Sequence, residues 1–363
     1  MLASSSSIII LLYYLLFTVK AFIFIHLIFK IFKSIIVYVN SYHIVKKGGI
    51  DMENLILSFN VILPLFLTMS LGYILKYFNM FNDNTLDTMN NITFKIFLPM
   101  LLFYNIYKTD LKGVFNLNLM IFASTCVIIL FLILYLIVPL IEKDNKKRGA
   151  LLQGLFRSNF VIFGLPITES LFGSEKVGVA ALLIAIVVPL FNVLSVLALE
   201  TFRGGKPNFK KIFIGIIKNP LIIASCLGIL TLLLKVKIPI PIEKTISDIS
   251  KLATPLSLLL LGATFKFDEI QKYRKQTTIA VLGKTILVPC IMLPICIMFG
   301  YRGVELTTLM IIFAAPTAIS SFTMAQQMDS DSELAGQIVV FTSAFCVLTV
   351  FMWIFTLKQS YLI

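Results

Sequence analysis

Charged residues are scarce in this sequence. Lysine, arginine, aspartate and glutamate make up 13% of the 363 residues, whereas hydrophobic residues make up 58%. A water-soluble domain needs more charge than this to cover its surface. The hydrophobic residues also occur in continuous runs of about 20, the length that crosses the hydrocarbon core of a bilayer. These properties exclude a soluble globular protein and predict a chain that is embedded in a membrane.

Histidine is almost absent as well. The sequence has only His26 and His43, and both precede Met52. The rest of the chain therefore has no histidine for a Ser-His-Asp triad or for a histidine-ligated metal site. The five cysteines lie inside hydrophobic runs without metal-ligand spacing, and no glycine-rich nucleotide motif occurs. We therefore predict that the chain is not an enzyme and needs no cofactor and no metal ion.

The net charge of +13 arises from short groups of lysine and arginine between the hydrophobic runs. A nucleic-acid-binding surface would instead be a continuous basic patch with interleaved aromatic residues, so we predict no nucleic-acid partner. Positive residues that flank membrane spans mark cytoplasmic loops. The loops after the first, third, fifth and seventh runs are the richer in lysine and arginine. This pattern places them in the cytoplasm and both termini outside.

Ten hydrophobic runs follow Met52, and short polar segments connect them. They predict an all-α polytopic membrane protein with ten transmembrane helices. The predicted spans are Leu55–Phe78, Leu86–Tyr107, Leu117–Ile141, Gly149–Phe172, Val177–Phe202, Ile212–Leu234, Ile246–Phe265, Thr277–Gly300, Leu306–Gln326 and Leu334–Leu357.

Residues 1–51 differ from the rest of the chain. They are apolar but interrupted by lysines, and they lack the pattern of a signal peptide. Lys47-Gly48-Gly49 can be encoded by a bacterial ribosome-binding sequence, and Met52 follows closely. We interpret Met52 as the native start and residues 1–51 as a leader; the alternative is a genuine extra helix at Ile8–Phe29.

Prolines recur at two spacings along the chain. Inside a span each proline removes a backbone hydrogen bond and must be accommodated, so matched positions suggest a repeat. The pairs separated by 156 residues are Pro64 with Pro220 and Pro99 with Pro255; those separated by 150 are Pro139 with Pro289 and Pro166 with Pro316. We predict two five-helix repeats, 52–205 and 206–363, which are inverted because each has an odd number of spans.

Predicted spans 4 and 9 are expected to be broken helices. Gly164 and Pro166 should unwind span 4, and Pro316 among small and hydroxyl residues should unwind span 9. The half-helix after each break would direct its positive N-terminal end to the midplane, where it could bind an anion. The alternative is that these prolines only kink packed helices.

Several motifs resemble those of the auxin efflux carrier family. They are Gln153, Arg157 and Asn159 followed by Gly164-Leu165-Pro166; Phe191-Asn192; Lys218-Asn219-Pro220; Thr254-Pro255-Leu256 with Leu261-Gly262-Ala263; Ala314-Ala315-Pro316-Thr317-Ala318; and Ala325-Gln326-Gln327-Met328. The family includes malate permease-like proteins and is similar to the plant PIN auxin exporters. The resemblance implies crossed broken helices 4 and 9 and elevator-like motion. It also implies that Asn159 binds a substrate carboxylate, whereas Thr317 replaces a glutamine of the plant relatives.

Ionisable or amide residues within the spans are further candidates for a substrate site. Arg157 could pair with an anionic substrate or extend to the cytoplasmic surface, and Lys284 has the same two alternatives. Asn192 could line the site or join two helices. Glu169 could bind a proton or cation, or lie near the outer surface.

Together these observations predict a secondary transporter of small organic anions, such as carboxylates, in the bacterial cytoplasmic membrane. Its predicted substrate site comprises Arg157, Asn159, Gly164, Pro166, Asn192, Lys284, Pro316 and Thr317. Acidic residues deep in the spans are few, which disfavours cation coupling. The alternatives are an H⁺- or Na⁺-coupled symporter of another solute and an intramembrane enzyme. A homodimer is left open.

Overall fold

The computed structural model describes residues 52–108, 116–203 and 209–363. These ranges are mostly helical and contain no strand. The predicted leader, residues 1–51, lies outside them.

The first half of the described chain contains seven α-helices. A π-helical turn at Thr93–Phe97 joins the second to the third. Three of these helices are capped at the N-terminal end by Asn82, Asn116 and Asp144, whose side chains accept hydrogen bonds from backbone N–H groups of the first turn. The helices are α1 (Met52–Tyr77), α2 (Asp83–Ile92), α3 (Leu98–Tyr107), α4 (Leu117–Ile141), α5 (Asn145–Phe156), α6 (Phe160–Phe172) and α7 (Val177–Phe202).

The second half contains nine α-helices within the described ranges. A second π-helical turn, Gly283–Leu287, joins the helix that ends at Leu282 to the helix that begins at Val288. Asn219 caps the helix that begins at Pro220, and Asp331 caps the helix that begins at Ser332. The helices are α8 (Phe209–Lys218), α9 (Pro220–Leu233), α10 (Ile240–Ser250), α11 (Ala253–Thr264), α12 (Ile270–Leu282), α13 (Val288–Met298), α14 (Gly303–Ala314), α15 (Ser320–Gln327) and α16 (Ser332–Gln359).

Five helical stretches are long and apolar enough to cross a membrane: Leu117–Ile141, Val177–Phe202, Ile240–Thr264, Phe267–Met298 and Ser332–Gln359. Shorter apolar helices overlap predicted spans 1, 4, 6 and 9: Leu63–Tyr77, Phe160–Phe172, Pro220–Leu233 and Gly303–Ala314. The polytopic helical class is therefore confirmed, whereas ten spans in two inverted repeats stay a prediction.

Helix α4 shows how the protein meets lipid. Leu132, Leu136 and Leu140 are exposed, and their spacing of four residues puts them on one face of the helix. A soluble protein would not leave such a stripe in water, but hydrocarbon solvates it without cost.

Helices α1 and α11 cross at two glycines. A Cβ atom added to Gly72 would collide with the backbone carbonyl of Leu259, and one added to Gly262 would collide with that of Met69. The two backbones therefore touch directly, as small residues allow between membrane helices. This contact fixes α11, which also forms a wall of the cavity described below.

A polar cluster ties the loop after α11 to the start of α16. Lys266 Nζ lies 2.5 Å from Glu333 Oε1, and the hydroxyl of Tyr273 donates to Glu333 Oε2 at 3.3 Å. Lys272 Nζ lies 3.8 Å from the same carboxylate. The hydrogen bond from Lys266 lowers the pKa of Glu333 below its ordinary value, and the charges of Lys266 and Lys272 act in the same direction.

This lowered pKa predicts how stability depends on pH. The carboxylate contributes above the ordinary glutamate pKa of about 4.3, and its contribution is lost as pH falls through the lowered value. Because Lys266 is exposed, we expect less than about 1 kcal/mol. Glu333→Gln should melt slightly below the wild type at pH 7, and this difference should shrink as the pH falls below the ordinary glutamate pKa. The exposed Glu175→Gln variant is the control, and a pH-independent difference would contradict the prediction.

Candidate functional site

Two interrupted helices cross each other at their breaks, and we call this point the crossing. Residues Arg157–Asn159 separate α5 from α6, and residues Ala315–Ile319 separate α14 from α15. The two breaks pair with each other, since the backbone N–H of Asn159 donates to the carbonyl of Pro316 at 2.8 Å. Ser158 and Thr317 form an isolated antiparallel bridge at the same point. The unwound backbone is thus partly satisfied by the opposite break, as membrane depth requires.

The predicted position of the first break was wrong. Gly164 and Pro166 lie inside α6, which runs without interruption from Phe160 to Phe172. Pro166 is tolerated there because a membrane helix can accommodate the loss of one backbone bond. Pro316, by contrast, lies within the second break as predicted. Pro166 and Pro316 therefore lie at different positions relative to the two breaks, and the two inverted repeats stay a prediction.

Arg157 is a charged residue buried at the crossing, with 4% of its surface exposed. Its Nη2 donates to Asn192 Oδ1 at 2.6 Å and to Ser320 Oγ at 2.8 Å. Its Nη1 donates to Gln153 Oε1 at 3.2 Å and contacts the Met324 sulfur at 2.6 Å. All of these partners are neutral, and in the described ranges no ion pair joins Arg157 to a carboxylate. The alternative of an arginine that extends to the surface does not fit this burial.

A cavity of about 90 Å³ lies beside Arg157. Its polar lining includes Asn159, Asn192, Ser257 and Ser320, which belong to the first break, α7, α11 and α15. Asn159 Nδ2, Asn192 Nδ2 and Ser257 Oγ are buried and have no hydrogen-bond partner among the described residues. Buried donors of this kind usually have a partner, so their convergence indicates a place for a ligand that accepts hydrogen bonds.

Two helix N-termini also meet this cavity. Asn159 precedes α6 and Ser320 opens α15, and both line the cavity. The N-cap residues Asn159 and Ile319 make no side-chain hydrogen bond to the first turn. In α15 the backbone N–H groups of Ser321 and Phe322 already donate to the carbonyls of Ala318 and Ile319. What remains for an anion is chiefly the start of α6, together with the partial positive charge of both helix N-termini.

The apolar part of the lining belongs to the core. Leu98, Leu102 and Leu221 line the cavity and also pack in the buried hydrophobic cluster of α3, α7 and α9. The polar groups thus face a wall of buried apolar side chains. In such surroundings a charge interaction is stronger than in water.

The structure brings three of the predicted site residues together in the cavity: Arg157, Asn159 and Asn192. The other five do not line it. Gly164 packs against the ring of Phe160, and Pro166 lies further along α6. Pro316 contributes its carbonyl to the crossing, and Thr317 Oγ1 donates to the carbonyl of Gly154 at 2.8 Å. Lys284 lies against Phe156 and Ser158.

Sequence reasoning missed the hydroxyl residues Thr254, Ser257 and Ser320 of the lining. Thr254 stands in the motif before Pro255, and Ser257 is a polar residue in an otherwise apolar span. That signal was present, but only the fold shows which face of α11 reaches the cavity. Glu169 is exposed on α6, in line with the alternative of a surface position.

A second, larger cavity has a volume of about 460 Å³. It lies between the loop after α1, the end of α11 and the start of α16, and Lys76 and Lys266 line it. Helices α11 and α15 line both cavities, with Ser257 and Ser320 on the smaller one and Leu261 and Phe322 on the larger. Within the described ranges, no group of histidine, cysteine, aspartate and glutamate could hold a metal ion.

Comparison with known proteins identifies the family of the chain. The sequence profile of the family described as "Membrane transport protein" matches residues 57–354, which is most of the chain. The chain belongs to this family. The match confirms the resemblance to the auxin efflux carriers and makes the chain a multi-pass membrane protein.

The chain is also similar to three transporters of other organisms. An uncharacterized transporter of Methanothermobacter thermautotrophicus is 24% identical over 82% of this chain and 97% of its own length. One of Methanocaldococcus jannaschii is 24% identical over 81% of this chain and 97% of its own length. A Rhizobium meliloti protein named "Putative malonate transporter" is 20% identical over 80% of this chain and 92% of its own length.

Proposed function

We propose that this family member is a secondary transporter of small organic anions, in particular small carboxylates, and not an enzyme. The observation that carries the proposal is the Arg157 guanidinium, which lies buried at the cavity with neutral partners only. A buried cation without a counter-charge is costly, by several kcal/mol. A bound anion would supply the missing charge.

The other groups of the cavity suit a carboxylate. The guanidinium can bind carboxylate oxygens in a bidentate manner. Asn159 Nδ2, Asn192 Nδ2 and the helix N-termini add neutral donors around it. The small volume favours a short substrate, and the name of the Rhizobium meliloti relative suggests malonate as the first anion to test.

The two cavities support alternating access. The larger one lies beside Lys76 and Lys266, which stand at the ends of predicted spans 1 and 7, on the side that the distribution of positive residues assigns to the cytoplasm. We propose that it is the approach from the bacterial cytoplasm and that the side chains of α11 and α15 separate it from the binding cavity. Movement of the crossing past these helices would expose the site to the opposite side.

Uptake of radiolabelled malonate into proteoliposomes tests the function. With an imposed potassium diffusion potential, we expect accumulation of malonate above that of protein-free vesicles and competition by other short dicarboxylates. The potential should change the rate, because an anion carries charge across the membrane. Absence of uptake for every short mono- and dicarboxylate tested would contradict the proposal.

Asn159→Ala tests the amide at the start of α6. We expect at least a tenfold loss of uptake, because a hydrogen bond to a charged group contributes about 1.5–3 kcal/mol. The melting temperature should change little, since Asn159 Nδ2 has no partner within the described chain. The exposed Asn118→Ala variant is the matched control. Full transport by Asn159→Ala would remove this residue from the site.

A further inference from the structure

Lys284 is a completely buried lysine on α12–α13 that the cavity does not use. Its side chain is 0% exposed and projects from the π-helical turn Gly283–Leu287. Nζ lies 2.5 Å from Ser158 Oγ and 3.4 Å from the carbonyl of Phe156. No ion pair joins it to a carboxylate within the described ranges. A charged group at such a position in a membrane protein is costly and usually functional.

The ammonium lies where the carbonyl ends of two half-helices converge. Phe156 is the last residue of α5. The Ser158 hydroxyl donates to the carbonyl of Ile312, in the last turn of α14, so its oxygen accepts from Lys284. Helix C-terminal ends carry partial negative charge. In transporters with broken helices, such ends and the unwound backbone between them coordinate the coupling Na⁺ or H⁺.

The surrounding chain holds Lys284 in this place. A Cβ atom on the neighbouring Gly283 would collide with the side chain of Leu155, so glycine allows the turn to approach α5 closely. The indole of Trp353 on α16 donates to the carbonyl of Thr285 at 3.0 Å. Thus α5 and α16 both position the turn that carries the lysine.

We propose that the Lys284 ammonium is a built-in cation that occupies the place of a coupling sodium ion at the crossing, so that transport by this chain does not require Na⁺. The inference rests on the proposed transport function. Arg157 faces the binding cavity at one side of the break, while Lys284 neutralises the carbonyl ends at the other. The cation that other carriers must bind in each cycle is here part of the chain.

The first test uses the unmodified protein. Its melting temperature in detergent and its malonate uptake in proteoliposomes are measured in NaCl and in choline chloride, at equal ionic strength and equal imposed potential. We expect both quantities to be the same in the two salts. Saturable stabilisation by Na⁺, or uptake that requires Na⁺, would overturn the proposal.

The second test removes the ammonium and leaves oxygen ligands in its place. Lys284→Gln should melt at a lower temperature in choline chloride, and NaCl should restore part of the loss by binding between the carbonyl ends. Where the variant transports malonate, Na⁺ should raise its rate by about fivefold or more, the lower end of a typical coupling between two sites.

Lys95→Gln is the matched control, because Lys95 lies in the other π-helical turn but is exposed. It should show no response to Na⁺. A folded Lys284→Gln protein that is equally indifferent to Na⁺ would overturn the inference. If Lys284→Gln cannot be purified, the comparison of salts on the wild type decides. The melting temperatures test the sodium inference without malonate, whereas uptake tests the proposed substrate. A failure of the proposed substrate can therefore be told apart from a failure of the sodium inference.

Discussion

Arg157→Gln is expected to abolish malonate uptake while leaving the protein at least as stable as the wild type. The guanidinium is the positive charge that lines the binding cavity, and its partners are the neutral groups Gln153, Asn192 and Ser320. Loss of one member of a buried charge pair costs 2 kcal/mol or more, which corresponds to at least about thirtyfold weaker interaction with the anion.

Most substitutions of buried residues lower the melting temperature, but Arg157→Gln is not expected to do so. Removing a buried charge that has no counter-charge relieves its desolvation penalty, so the melting temperature should stay the same or rise. Arg157→Lys keeps the positive charge but lacks the planar guanidinium that can bind both oxygens of a carboxylate. It should therefore recover only part of the uptake. The exposed Arg274→Gln variant is the control. Normal uptake by Arg157→Gln would contradict the proposed site.

Substitution at the α1–α11 crossing should have the largest effect on stability. In Gly262→Val the new side chain would lie inside the backbone of Met69, and in Gly72→Val inside that of Leu259. Neither neighbour is a flexible side chain, so the helices must separate. We expect a loss above about 3 kcal/mol, the upper end of ordinary overpacking.

Size-exclusion profiles and thermal melting in detergent measure this effect. Both valine variants should give little monodisperse protein or melt far below the wild type. Leu71→Ala, a change in an exposed residue beside Gly72, is the control and should melt close to the wild type. A valine variant with wild-type melting would mean that α1 and α11 are further apart than described.

The helical segments and three residues of the cavity could be predicted from the sequence, because both follow from strong local signals. Long apolar runs specify helices at membrane depth, and Arg157, Asn159 and Asn192 stand out as polar residues within such runs. The position of the first break could not be predicted from proline and glycine. Gly164 and Pro166 are compatible with a continuous α6, and the chain unwinds at Ser158.

The reason is that the break at Ser158 is a tertiary feature. Its backbone departs from the helix where it pairs with the second break at Thr317, which is distant in sequence. The position of Lys284 could not be predicted for the same reason. Its place on the carbonyl side of the crossing depends on the close approach of Gly283 to Leu155, which no local pattern reveals.

The hydrogen bond between Asn159 and Pro316 has a consequence for synthesis of the protein. Its two partners come from opposite halves of the sequence, so the crossing cannot close until α14 has left the ribosome. Until then the segment Arg157–Asn159 lacks the backbone partners of the second break. Contacts so distant in sequence form slowly because a long loop must close first. We therefore expect the binding cavity to take its final form only after the second half has been inserted.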